Sequence, residues 1–151
     1  MTKPPSNPDK LALIIGIDTY TNTSLENLPS CKKDAEDMSE VLSEQGYTKF
    51  GSKPMIGSEL YEEFGWYRIH KAIVDLFDKA EAGQTLLFYF SRHGLSRGQD
   101  IFLATPQVDP PNPMLQGFSL ANLTSLTNSS KSMKIVSIID RCYSAYFRNT
   151  G

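Results

Sequence analysis

Two short apolar runs, Leu86-Leu87-Phe88-Tyr89-Phe90 and Ile135-Val136-Ser137-Ile138-Ile139, constrain this chain more than any other feature. Apolar runs of this length, bounded by polar loop residues, suit parallel strands buried on both faces. The first leads through Ser91-Arg92 to His93 and Gly94, the second through Asp140-Arg141 to Cys142. Set side by side and parallel, the two strands bring an imidazole and a thiol to one rim. That rim, at the carboxyl ends of the strands, is where open α/β sheets place their sites. A thiol beside an imidazole is a candidate nucleophile with its base.

The rest of the chain supplies the other layers. Residues 11–17 read as a buried first strand, followed by a polar loop over 18–23. Pro29-Ser30 opens a helix, with Ser30 as its N-cap and Gly46 as its stop. Within it Cys31, Ala35, Met38 and Leu42 share one face. Residues 47–56 hold a short second strand interrupted by Gly51 and Pro54. From about Tyr67, Ile69, Ala72, Ile73, Leu76, Phe77 and Ala80 form an apolar stripe ended by Gly83. A strand over 85–90 follows, then a turn at Gly98 and a short strand over 101–104, in a hairpin. Residues 105–117, rich in proline, form a loop. A helix carrying Leu120, Leu123 and Leu126 precedes the strand that ends at Cys142. Strands alternating with helices predict an α/β fold, a mostly parallel central sheet with helices on both faces.

Composition narrows the function. The 151 residues suffice for one domain with a real core: residues 1–10 read as a disordered Pro-rich tail and 11–151 as the folded domain. A net charge of −2, without a Lys/Arg stripe, offers no field for nucleic acid. The apolar runs are too short to span a bilayer. The polar tail is unlike a signal peptide, so a cytoplasmic location is expected. Two cysteines, Cys31 and Cys142, make no disulfide framework, and with His70 and His93 they lack the paired spacing of a zinc site. Gly16 alone after the first strand makes no phosphate loop, which argues against a nucleotide-binding domain.

Four blocks occur in order: Ile15-Gly16-Ile17-Asp18-Thr19-Tyr20, Leu28-Pro29-Ser30-Cys31-Lys32-Lys33-Asp34-Ala35, Tyr89-Phe90-Ser91-Arg92-His93-Gly94 and Ile139-Asp140-Arg141-Cys142-Tyr143-Ser144. Together they resemble the metacaspase and orthocaspase branch of the caspase-like cysteine peptidases, and a His-to-Cys separation of about 50 residues is a known caspase spacing. The resemblance implies a caspase-like three-layer sandwich and a cysteine endopeptidase, here the larger, p20-like catalytic part, completed by a C-terminal p10-like segment or subunit. It implies Cys142 as nucleophile, His93 as general base and acid, and the N–H groups of Gly94 and Cys142 as an oxyanion hole. It also implies a pocket of Cys31, Asp34, Ser91 and Asp140 that holds a substrate Arg or Lys, the partner being a peptide or protein with that basic residue before the scissile bond. Calcium is implied as a cofactor; Asp100 and Asp109 offer oxygens, no spaced calcium loop is visible, and the metal is left unassigned. Arg148 lies where self-processing after a basic residue would fall.

This chain departs from the family pattern at Arg92, where glycine is usual, at Arg141, and at Tyr143 and Ala145. Arg92 in a tight or positive-φ position would shift His93 or close the cleft. The alternative expectation is therefore an impaired caspase-like pseudoprotease acting as a regulatory or interaction module. Cys31 also suits a core-facing helix position, Asp34 a first-turn acid, and His70 a structural role. Asp140, following apolar residues, needs a partner: a substrate cation, Arg92 or Arg141.

Overall fold

The computed structural model describes residues 8–22 and 24–141. In chain order its elements are β1 (Lys10–Gly16), α1 (Pro29–Glu44), β2 (Thr48–Lys49), β3 (Met55–Ile56), a 3-10 turn (Gly57–Glu59), α2 (Gly65–Asp78), β4 (Thr85–Arg92), β5 (Gly94–Arg97), β6 (Asp100–Leu103), β7 (Phe118–Ser119), α3 (Leu120–Ser129) and β8 (Lys134–Arg141). The main sheet is five-stranded and parallel, ordered β2-β1-β4-β8, with β3 also pairing to β1. A three-stranded antiparallel sheet, β5-β6-β7, stands apart from it.

Side-chain alternation along β1 and β4 sorts the core into two. Leu13, Ile15, Leu86, Phe88 and Phe90 face one way and meet Ile69, Ile73, Leu76 and Phe77 of α2 and Leu123 of α3. Phe88 packs edge-to-face against both Phe77, at 6.1 Å between centroids, and Phe90, at 5.9 Å. Ala12, Ile14, Leu87 and Tyr89 face the other way and meet Ala35 and Leu42 of α1. The result is three layers with helices on both faces of a parallel sheet, as the alternation of elements predicts. Each fully buried Ile, Leu or Phe contributes about 1.5–3 kcal/mol.

Several details differ from the sequence reading. Leu28, not Ser30, is the N-cap of α1, because Pro29 takes the first helical position, where a missing N–H is harmless. The Leu28 N–H is instead held by the Asp18 carbonyl at 2.8 Å. Met38 sits half-buried at the margin while Ser39 is buried. Gly46 does end the α1 segment, at φ +87°. The expected second strand is two short pieces, β2 and β3, separated by a turn in which Gly51 and Ser52 have positive φ. Helix α2 starts at Gly65 and stops at Asp78, so Ala80 is buried from the loop that follows. Lys10, expected in the tail, lies in β1, and the carbonyl of Pro8 accepts from Gln84 Nε2 at 2.9 Å. The hairpin around Gly98 is present as β5 and β6.

The β4–β8 ladder matters most for function. It runs in register from Thr85↔Lys134 to Ser91↔Asp140 and Arg92↔Arg141. Strand β8 is the outermost of this sheet among the described residues, and Val136 on it is 47% exposed.

Candidate active site

His93 follows the last residue of β4 and is fully buried. The loop between β1 and α1 wraps it. The His93 backbone N–H donates to the Tyr20 phenol oxygen at 2.9 Å, and the two rings tilt together at 4.9 Å between centroids. Nε2 lies 2.8 Å from the carbonyl oxygen of Glu26. A carbonyl only accepts, so Nε2 carries the proton and Nδ1 is the basic nitrogen of the neutral ring. Burial lowers the His93 pKa, opposed by the Glu26 carbonyl and charge, with the Arg92 charge acting in the same direction as burial. The ring is therefore held neutral at neutral pH.

One row crosses the sheet just below the rim: Gly16 of β1, Ser91 of β4 and Asp140 of β8. Alternation places it on the α1 face, above the row Ile14, Tyr89 and Ile138. Gly16 lets α1 come this close. A Cβ there would run into the Cys31 carbonyl oxygen and stand 2.7 Å from the Ala35 Cβ. The first turns of α1, carrying Cys31 and Asp34, thus settle beside this row. Cys31 and Ser91 are fully buried, whereas Asp34 and Asp140 are half-buried.

Tyr89 rises from the lower row and donates its O–H to Asp140 Oδ2 at 3.1 Å. Its phenol pKa is raised far above the ordinary value, first by burial, then by the Asp140 hydrogen bond and charge and by the Asp34 charge; the neighbouring Ser91 hydroxyl pulls the other way. Tyr89 is the partner that Asp140 requires. Arg92 supplies a second tie, donating from Nη1 to the Asp140 carbonyl at 3.1 Å. The Arg92 backbone φ is not positive and its side chain is 3% exposed, so this arginine is accommodated within the fold at the strand ends and His93 keeps its contacts.

Gly94 opens β5, paired with Leu103. Neither φ nor packing demands glycine there, since an added Cβ would meet Arg92 Nη2 no closer than 3.7 Å. The structure thus brings Asp140, Ser91 and the Asp34 charge to Tyr89, whereas Cys31 packs in the core cluster of Leu13, Ile15 and Tyr20, the core-facing helix position also expected for it. His93 and Gly94 follow at the end of β4. Cys142, Tyr143, Ala145 and Arg148 lie outside the described residues, as does the tail over 1–7.

Calcium takes six to eight oxygen ligands. Among the described residues no three His, Cys, Asp or Glu side chains converge in a way that would hold a metal. Asp100 Oδ1 accepts from the Ile101 N–H at 2.8 Å, and Asp109 Oδ2 from Asn112 at 3.0 Å. These residues do not fit a calcium site. His70 is structural, with Nε2 2.9 Å from the Gln116 carbonyl and the ring edge-on to Trp66 and Phe118. Among the described residues no helix is long and apolar enough to cross a membrane.

The caspase-domain family model matches residues 9–150. The chain belongs to the caspase-domain family. No curated protein matches it. A caspase domain is a cysteine-peptidase domain, so the substrate is a protein or peptide. In this caspase domain three contributors escaped the sequence reading: Tyr20, Glu26 and Tyr89. Tyr20 stood within a recognised block but gave no sign of its partner. Glu26 acts through a backbone carbonyl, which leaves no side-chain signature. Tyr89 reads as core, because its hydroxyl finds Asp140 only through the β4–β8 register.

Proposed function

We propose that this caspase domain is a cysteine endopeptidase of the metacaspase branch that cuts after Arg or Lys, with Cys142 as nucleophile and His93 as general base and acid. The observation that carries the reading is the β4–β8 ladder. Its last pair is Arg92↔Arg141, and the next residues in the chain are His93 and Cys142. A protonated Nε2 on the Glu26 carbonyl supports it by leaving Nδ1 to take the thiol proton.

The thiolate attacks the scissile carbonyl carbon, and the N–H groups of Gly94 and Cys142 hold the resulting oxyanion. The tetrahedral species collapses to a thioester as the C–N bond breaks and His93 returns the proton to the leaving amine. Water, deprotonated by His93, then cleaves the thioester and regenerates the thiol. Asp34 and Asp140 grip the basic side chain through charge-assisted hydrogen bonds, with Ser91 and Cys31 lining the same pocket. A p10-like segment or subunit completes the cleft. The second reading, an impaired caspase-like module, draws on the complete burial of His93.

Fluorogenic peptides ending in Arg, Lys or Asp, offered with and without calcium, separate the two. Turnover after Arg and Lys, absent after Asp and abolished in Cys142→Ala, is the expected result. If no peptide is cut and an arginine chloromethylketone leaves Cys142 unlabelled, the peptidase reading is overturned.

A further inference from the structure

Arg92 is shared between the two strand ends that carry the proposed chemistry. It closes β4, with His93 next in the chain, and its partner in the ladder is Arg141, with Cys142 next after that. Its side chain is 3% exposed and donates from Nη1 to the Asp140 carbonyl at 3.1 Å. The same guanidinium lies alongside Gly94: a Cβ built there would stand 3.7 Å from Nη2 and 3.9 Å from Cζ, ordinary van der Waals contact. One planar group therefore neighbours the residue after His93 and bonds the residue two before Cys142. Such a bond matters most on this strand. Among the described residues β8 is paired on one side only, and strand ends held by few contacts open at little cost in free energy. A charged donor opposes that opening more strongly than a neutral one.

We propose that Arg92 is a positioning residue that clamps the end of β8 to the end of β4, and so fixes where the chain departs toward His93 on one strand and toward Cys142 on the other. The inference rests on the proposed His93/Cys142 dyad. A general base must stand within about 2.6–3.2 Å of the group whose proton it takes, and a misplacement of about 1 Å can cost roughly 100-fold in rate. Two strand ends free to splay would not hold that tolerance. Glycine, usual at this place in the family pattern, has no donor for the Asp140 carbonyl. Lysine is a poor substitute, since a single ammonium lacks the planar fork that reaches the carbonyl while lying against Gly94. Arg92→Gly should therefore lower turnover. An arginine that merely obstructed the cleft predicts the opposite.

The test uses the full chain with Arg92→Gly and Arg92→Met, the second keeping an apolar stem while removing the donors. It has two readouts: steady-state kinetics on a peptide ending in Arg, and amide hydrogen exchange along β1, β4 and β8. Both variants are expected to lose about tenfold in kcat, the scale of one hydrogen bond to a charged group. KM should change little, because the Asp34 and Asp140 carboxylates are untouched. Amides of residues 139–141 should exchange about tenfold faster, while those of β1 keep their wild-type protection. Guanidinium chloride, well below denaturing concentrations, should restore kcat in Arg92→Gly, where the vacated space can receive the ion. Urea or sodium chloride at the same concentration should not, and general loosening of the core would not be repaired by a cation of that shape.

Faster turnover in Arg92→Gly than in the wild type overturns the role of Arg92 and leaves the dyad standing. So does an unchanged kcat with β8 equally protected, or faster exchange spread evenly over the whole sheet. If Arg92→Gly does not fold, Arg92→Met decides by the same two readouts. A wild-type chain that cuts no peptide and leaves Cys142 unlabelled by an arginine chloromethylketone removes the dyad itself, and this inference with it.

Discussion

The His93 ring and the Glu26 backbone carbonyl meet at 2.8 Å, in a place where His93 has no exposed surface. Burial lowers the pKa of His93, and of His70 as well, from the ordinary 6.5. When both are neutral, above that value, folding carries no proton penalty. As pH falls below it, the unfolded chain binds protons that the folded chain refuses, so stability drops until the lower folded-state values are passed. Urea midpoints should therefore be flat above about pH 6.5 and decline below it. A midpoint unchanged between about pH 7 and pH 5 would contradict the burial of these two rings.

Gly16→Ala should destabilise the fold by about 1–3 kcal/mol, the usual penalty of overpacking. The new Cβ collides with the Cys31 carbonyl, so α1 must lift from β1 and carry Asp34 with it. Denaturant unfolding measures the first effect, and a weaker grip on arginine ligands reports the second. A variant as stable as the parent would mean that α1 is not seated on Gly16.

Asp140→Asn and Asp34→Asn each remove a charge from the proposed pocket while nearly preserving shape. Each should lower kcat/KM for an Arg peptide by roughly 10- to 100-fold, since a hydrogen bond to a charged group is worth about 1.5–3 kcal/mol. Steady-state kinetics on the Arg peptide, with labelling of Cys142 by a small alkylating agent as control, reads this directly. Equal activity in both variants would place the specificity pocket elsewhere.

Phe88→Ala should cost about 3–5 kcal/mol. Phe88 is fully buried in the central strand between Phe77 and Phe90, where rigid neighbours leave little room for collapse. Chemical denaturation that found less than about 1 kcal/mol would mean that the α2 layer is not packed on β4.

Strand β4 was legible because burial on both faces writes an uninterrupted apolar run at residues 86–90. Strand β8 shows a similar run at 135–139 but is an edge strand among the described residues, half-buried to exposed, so the full burial read from its sequence does not hold. Helix α2 was legible from its stripe, but not its ends, since Ala80 continues the apolar spacing after the backbone has left the helix. Strands β2 and β3, two residues each, are imposed by the edge of β1 and carry no pattern of their own. In the candidate site, His93 could be chosen by residue type at the end of an apolar run, whereas Ser91, Asp34 and Asp140 were named only through the family resemblance. Arg92 could be noticed but not oriented: its bond to the Asp140 carbonyl depends on a strand 48 positions away. Glu26 was invisible, because any residue there would have offered the same carbonyl.

The β4–β8 ladder also dictates a timetable. Chains emerge from the ribosome N-terminus first, so β1, α1 and β4 can dock while the segment for β8 is still being synthesised. His93 and the proposed nucleophile therefore come to one rim only when this last strand pairs with β4, which makes that pairing the step that would assemble the proposed dyad.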